Sequence, residues 1–197
     1  MNRDNKLNVL LVAAECAPFI KLGGLADVMG TLPKELNKIG ADARVMMPFH
    51  SQMKWKYATQ TRHLADFYIA FNGGQAYVGV EELVYNDVTY YLIDNESEFG
   101  DAVYRGGVAE GEQYAYFCRA VIESLGRIGF IPDIIHCNDW QTGLIPILLR
   151  TQYGHWEVGR AKTIFTIHNM MYQGEYAFEQ FQKWVGIDSR YDTPEFM

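Results

Sequence analysis

Along the chain, apolar residues first crowd together and then space out. Residues 7–14, Leu-Asn-Val-Leu-Leu-Val-Ala-Ala, are apolar at nearly every position, the pattern of a strand covered on both faces. Beyond Gly23-Gly24 the period changes. Leu25, Val28, Met29, Leu32, Leu36 and Ile39 recur at helical spacing and predict a helix over 25–39. Pro33 inside it predicts a kink or a restart, and Gly40 is placed to end it. Residues 43–47 read as a second strand, stopped by Pro48. Strand, helix and strand with short connections make a βαβ unit, which implies a parallel sheet.

The middle of the chain follows another rhythm. Residues 63–71, 76–85 and 88–93 are β-rich and separated by the turn signals Asn72-Gly73-Gly74 and Asn86-Asp87, which predicts an inserted β-meander attached to the sheet. Residues 100–111, with four glycines and scattered charge, predict a mobile loop. A helix is expected over 112–128, where Tyr116, Phe117, Ala120, Val121 and Leu125 share one face. Alternation then resumes with a strand at 133–137, a helix at 140–153, a strand at 162–168 and a helix at 178–185. The expected fold class is therefore α/β, a parallel sheet flanked by helices, in one domain over residues 1–197. Residues 191–197 offer no capping or solvating tail, which suggests a cut inside a larger protein.

Composition narrows the function classes. Hydrophobic residues make up 49% and charged residues 21%, an ordinary globular balance rather than a disordered one. A net charge of -7 leaves no electrostatic footprint for nucleic acid or an anionic membrane, although a local cluster of donors can still hold a phosphorylated ligand. Arg3 and Lys6 before the first apolar run faintly resemble a signal peptide, but Asp4 sits in the basic region and Glu15 interrupts the run. No stretch approaches the roughly 20 apolar residues of a spanning helix. Cys16, Cys118 and Cys137 are odd in number and share no close spacing, which reads as reduced thiols in a cytoplasmic protein.

Three polar clusters stand at the expected carboxyl ends of strands, where ligands bind in doubly wound folds. In Lys21-Leu22-Gly23-Gly24-Leu25-Ala26-Asp27 the glycines permit close backbone approach, the next helix offers free N–H groups, and Lys21 adds a charge. The same residues are equally those of a plain glycine turn with a solvated lysine, and an acid such as Asp27 is favourable in any first helical turn. The second cluster is His136-Cys137-Asn138-Asp139-Trp140. Asp139 there is either a site residue or the N-cap of the following helix, and a metal reading lacks a second ligand pair. The third is Phe165-Thr166-Ile167-His168-Asn169, followed by Tyr172-Gln173-Gly174, where His168 and Asn169 suit sugar hydroxyls or serve structure alone. Neither G-x-G-x-x-G nor G-x-x-x-x-G-K-[ST] occurs, so a nicotinamide-dependent oxidoreductase and a P-loop enzyme are disfavoured.

Taken together and in this order, the blocks from Glu15 to Val28, from His136 to Leu144 and from Phe165 to Gly174 resemble those of bacterial glycogen synthases and plant starch synthases. The resemblance runs from about Val9 to the end of the chain. It implies a GT-B architecture of two Rossmann-like domains facing a cleft, with most of the first one here and the nucleotide-sugar-binding domain absent. It also implies a hexosyltransferase that passes glucose, with retention, from ADP-glucose to the non-reducing end of an α-1,4-glucan such as glycogen. Lys21, Gly23, Gly24 and Asp27 then face ADP-glucose. His168 and Asp139 take the catalytic positions, with the His168 carbonyl beside the anomeric carbon. Asn169, Gln173 and Tyr104 face the sugar and acceptor. No cofactor or metal is implied, and no protein nucleophile is required if the departing phosphate takes the acceptor proton. Residues 97–103, Ser-Glu-Phe-Gly-Asp-Ala-Val, are more acidic and less aromatic than the resemblance calls for, which leaves Tyr104 as a partial equivalent. A free-standing sugar-phosphate binding module without catalysis is the alternative.

Overall fold

The computed structural model describes residues 6–100 and 102–193. Arg3 and Asp4 of the amino-terminal segment, Asp101 of the glycine-rich stretch and residues 194–197 lie outside the described residues.

The first apolar run forms β1 (Asn8–Val12), and the helical period that follows forms α1 (Gly24–Lys38). α1 continues through Pro33, whose ring is buried, and Gly40 at φ +100 follows its end. Next come β2 (Asp42–Pro48) and a short helix, α2 (Ser51–Tyr57), which the sequence pattern did not announce. Three long strands, β3 (Arg62–Phe71), β4 (Gly74–Tyr85) and β5 (Val88–Asp94), form the expected meander. β5 pairs parallel with β2, so the meander continues one seven-stranded sheet of order β3-β4-β5-β2-β1 followed by two later strands.

A one-turn helix α3 (Glu96–Phe99) leads to α4 (Gly107–Arg127). The loop expected over 100–111 is therefore helical from Gly107 onward. Gly111 is glycine for packing: a Cβ there would lie 2.6 Å from the Tyr176 ring and 2.8 Å from Trp184. β6 (Ile134–Asn138) then pairs parallel with β1. The helix expected over 140–153 is two pieces, a 3₁₀ turn at Trp140–Thr142 and then α5 (Leu144–Thr151). Pro146 fits the break, because it has no N–H to bond back to residue 142 and is accommodated most easily in a first turn, where it stands in α5. The last strand, β7 (Lys162–Thr166), pairs parallel with β6 at the sheet edge, and α6 (Phe178–Val185) follows as expected.

Alternate residues of the central strands enter two separate cores. Leu10, Val12, Met46, Ile135 and Cys137 pack with Tyr114, Phe117 and Val121 of α4 and Leu148 of α5. Val9, Leu11, Val45 and Met47 pack on the other face with Leu25 and Met29 of α1 and Met53 and Tyr57 of α2. Each fully buried leucine contributes about 1.5–3 kcal/mol relative to exposure. The two-sided burial of β1 is the reason its sequence shows no alternation. The result is a mixed α/β fold whose parallel centre has helices on both faces.

Candidate functional site

β1, β6 and β7 are adjacent and parallel, so the segments that leave their carboxyl ends emerge on one side of the sheet. These are the three segments that carry Lys21 to Asp27, Asp139, and His168 with Asn169. The sheet thus gathers the three polar clusters along one edge, as its parallel order requires.

After β1 the chain turns through Glu15, a carboxylate only 3% exposed. Its Oε2 accepts from the backbone N–H of Leu22 at 2.5 Å and of Gly23 at 3.0 Å, and its Oε1 accepts from the Tyr104 hydroxyl at 3.3 Å. The two glycines differ. A Cβ on Gly23 would meet Glu15 Oε1 at 3.3 Å, whereas one on Gly24 would meet nothing within 4 Å. Gly24 opens α1, and Lys21 Nζ lies 2.7 Å from Asp27 Oδ1 in that helix's first turn. Both partners are more than half exposed, so this ion pair is worth little and leaves the lysine available. Burial, then the negative Glu15, hold the Tyr104 hydroxyl above its usual pKa, so it remains a donor.

After β6 the chain passes Asn138, fully buried, and Asp139, whose φ of +59 aims its side chain across the strand ends. The Asn138 amide donates to the carbonyls of Val12 at 3.2 Å and His136 at 3.0 Å. Its Oδ1 then faces His168 Nε2 at 2.9 Å, which assigns the ring proton to Nε2 as the donor. Asp139 N–H bonds the Thr166 carbonyl at 2.9 Å, and Asp139 Oδ1 accepts from the N–H of His168 at 2.6 Å and of Asn169 at 3.4 Å. Asp139 makes no side-chain cap on the turn that follows it, so the N-cap alternative is set aside. These bonds also explain why β7 ends at Thr166 instead of running to 168: the next N–H is drawn to Asp139 rather than to the ladder. His136 Nε2 lies 2.8 Å from Thr166 Oγ1, and burial, then the neighbouring His168, lower its pKa from 6.5.

Asn169 and Gln173 serve the loop itself. Asn169 Oδ1 accepts from the Met171 N–H at 3.0 Å, and the Gln173 amide donates to the Met170 carbonyl at 3.1 Å. Gln173 also lines a mainly apolar cavity of about 680 Å³ with Trp140, Leu144, Phe165 and Tyr176, rather than joining the polar edge. Glu15, Asn138 and His136 were not assigned roles from sequence. Glu15 carried the one available signal, a lone acid just after a nearly all-apolar run. Burial raises the Cys16 and Cys137 thiols to about 12, so neither is poised as a nucleophile or a metal ligand. Among the described residues no group of three His, Cys, Asp or Glu side chains is placed to hold a metal, and no helix is long and apolar enough to cross a membrane.

The profile of the starch synthase catalytic domain matches residues 8–197. The chain belongs to this family. The glycogen synthase of Geobacillus stearothermophilus is 44% identical over 193 residues, which cover 97% of this chain and 40% of the relative. That of Lachnospira eligens is 44% identical over 190 residues, 95% of this chain and 40% of the relative. Among solved structures, the catalytic domain of starch synthase IV from Arabidopsis thaliana bound to ADP and acarbose superposes with a TM-score of 0.87 at 29% identity, covering 98% of this chain and 40% of that one. The chain thus spans about 40% of the length of the curated relatives it matches. The three segments that leave β1, β6 and β7 all lie within the matched residues.

Proposed function

We propose that this chain supplies one wall of the cleft of a retaining hexosyltransferase. The enzyme transfers glucose from ADP-glucose to the non-reducing end of an α-1,4-glucan, and a second α/β domain carries most of the nucleotide contacts. One observation carries the proposal: a glycine loop beside a lysine, an acid, and a histidine-asparagine pair leave three adjacent parallel strands on one side. The likeness to glycogen synthases over nearly the whole chain supports the substrate class.

In the reaction, the bond from the anomeric carbon to the donor phosphate oxygen breaks and a bond to the acceptor hydroxyl oxygen forms on the same face. The acceptor proton goes to the departing phosphate. Gly24 and Lys21 meet the donor phosphates, where charge-assisted hydrogen bonds contribute about 1.5–3 kcal/mol each. Asp27, paired with Lys21, orients that ammonium. Asp139 holds the backbone of His168 and Asn169, so that the His168 carbonyl faces the positive charge developing at the anomeric carbon. Tyr104 and Asn169 offer polar groups to the sugar and acceptor. Three buried cysteines suit a reducing, cytoplasmic setting.

The test supplies labelled ADP-glucose and glycogen to the chain alone and to the two-domain enzyme. Incorporation in the α configuration by the two-domain enzyme, and none by residues 1–197, is expected. Binding of both substrates without transfer by the two-domain protein sinks the proposal in favour of a binding module.

A further inference from the structure

Glycine loops at phosphate sites are commonly pictured with their N–H groups aimed at the ligand. Here two of those groups are already engaged. Leu22 and Gly23 both donate inward to one oxygen of Glu15, a carboxylate buried at the end of β1, and the other oxygen of that carboxylate takes the Tyr104 hydroxyl. We propose that Glu15 is a positioning residue. It anchors the glycine loop before the donor arrives and turns the outer side of that loop, Lys21 and Gly24, toward the phosphates. The inference rests on the function proposed above.

The chemistry favours a brace over a contact. A glycine pair has more backbone freedom to lose than any other residue pair, so ordering the loop on ligand arrival would weaken binding. Two successive amides fixed to one rigid acceptor settle the backbone around residues 21–23 in advance. Glu15 itself is rigid, because β1 next to it is buried in both cores and paired on both sides. The bonds also sort the two glycines. Gly23 has to pass within 3.3 Å of the carboxylate, which crowds any Cβ, while Gly24 faces open space. The ligand is therefore met by Gly24, the free N–H groups at the start of α1 and Lys21, not by Leu22 or Gly23. Tyr104 adds a link. It comes from the segment ahead of α4 and is itself a candidate acceptor contact, so the same carboxylate ties the donor loop to the acceptor side.

The test uses Glu15→Gln and Glu15→Ala with two readouts. In the 197-residue chain, amide hydrogen exchange is followed at Leu22 and Gly23, with the amides of Asn8–Val12 as internal reference. Both loop amides should be protected in the unsubstituted chain, and Glu15→Ala should speed their exchange by about tenfold or more while the β1 amides hold. Glu15→Gln keeps an acceptor oxygen but not the charge, so an intermediate rate is expected. In the two-domain enzyme, kcat/KM for ADP-glucose should fall about tenfold in the alanine variant and less in the glutamine variant, with the KM for glycogen within about twofold. A purely structural Glu15 would lower the melting temperature and leave the donor term alone. If the alanine variant does not fold, the glutamine variant decides. Unchanged exchange at Leu22 and Gly23, or unchanged donor kinetics in a folded Glu15→Gln enzyme, overturns the proposal. An unsubstituted two-domain enzyme that fails to use ADP-glucose overturns instead the function on which it rests.

Discussion

Replacing Gly24 with alanine separates a structural glycine from a functional one. The added methyl would meet nothing within 4 Å, and Gly24 is not among the glycines held at positive φ. It is the first residue of α1. Alanine is the better helix former by up to about 1 kcal/mol in a helix interior, and it stabilises further by restricting the unfolded chain. The folded protein should therefore be unchanged or slightly more stable. Binding should suffer, because the open space over Gly24 is where a phosphate oxygen would come within hydrogen-bond distance of the backbone. Loss of one charge-assisted bond of about 1.5–3 kcal/mol corresponds to roughly 10- to 150-fold in kcat/KM for ADP-glucose. Gly23→Ala behaves differently, since its methyl would press on Glu15 at 3.3 Å and disturb the loop and the melting temperature together. The assay pairs thermal unfolding with initial rates in the two-domain enzyme, ADP-glucose and glycogen being varied separately. A Gly24→Ala enzyme with an intact melting temperature and wild-type donor kinetics would refute the placement of the donor over this residue.

Other substitutions probe the same edge and its supports. Lys21→Ala should cost roughly 10- to 150-fold in kcat/KM for ADP-glucose with little change in melting temperature, and Lys21→Arg should not fully rescue it, because a planar fork cannot replace a compact ammonium. Asp139→Ala strips the acceptor from the His168 and Asn169 amides; steady-state kinetics should show a loss in kcat larger than the rise in donor KM, and amide exchange at both residues should quicken. Gly174→Ala forces a Cβ at φ +65 to within 2.3 Å of the Trp140 ring, and calorimetry should show destabilisation of about 1–3 kcal/mol with an altered near-ultraviolet dichroism. His50, 1% exposed, is pushed down from 6.5 to about 4 by burial, so unfolding takes up a proton below about pH 6.5 and stability falls as pH drops toward 4. Denaturant titrations should show a loss of about 2 kcal/mol from this group between about pH 7 and about pH 5, and His50→Phe should remove it.

The parts of the fold legible in sequence are those where burial itself writes the pattern. β1 lies between two cores, so its residues are apolar without alternation, and α1 packs one stripe on one core. The short helices α2 and α3 were not legible. Each runs for two turns or fewer, and α3 is set by the Asn95 side chain accepting from Ser97 N–H, a bond that leaves no period. Gly111 misled because glycine is read as loop, while its smallness serves two aromatic rings packed from a distant segment. The break in the helix expected over 140–153 could have been read from Pro146, whose first-turn preference places the helix start just ahead of it.

The site divides along the same line. Strand ends are local, so the three clusters could be found; what their side chains touch is long-range, so it could not. Asp139 bonds residues 29 and 30 positions away, and Glu15 reaches Tyr104 across 89. Seen in three dimensions, these two acids do the same work. Each stands just beyond a strand, β1 or β6, and each takes two successive backbone N–H groups from a loop that borders the site. Retaining glycoside hydrolases set two carboxyl groups about 5–5.5 Å apart across the scissile bond, one as acid and base, the other as nucleophile. Acids spent on bracing loops are poorly suited to that exchange of protons. A transfer in which the phosphate leaves and accepts the proton asks something else of this wall: that glycine backbone, lysine and the His168 carbonyl be held still. Two buried or half-buried carboxylates aimed at backbone amides, on neighbouring strands, provide that.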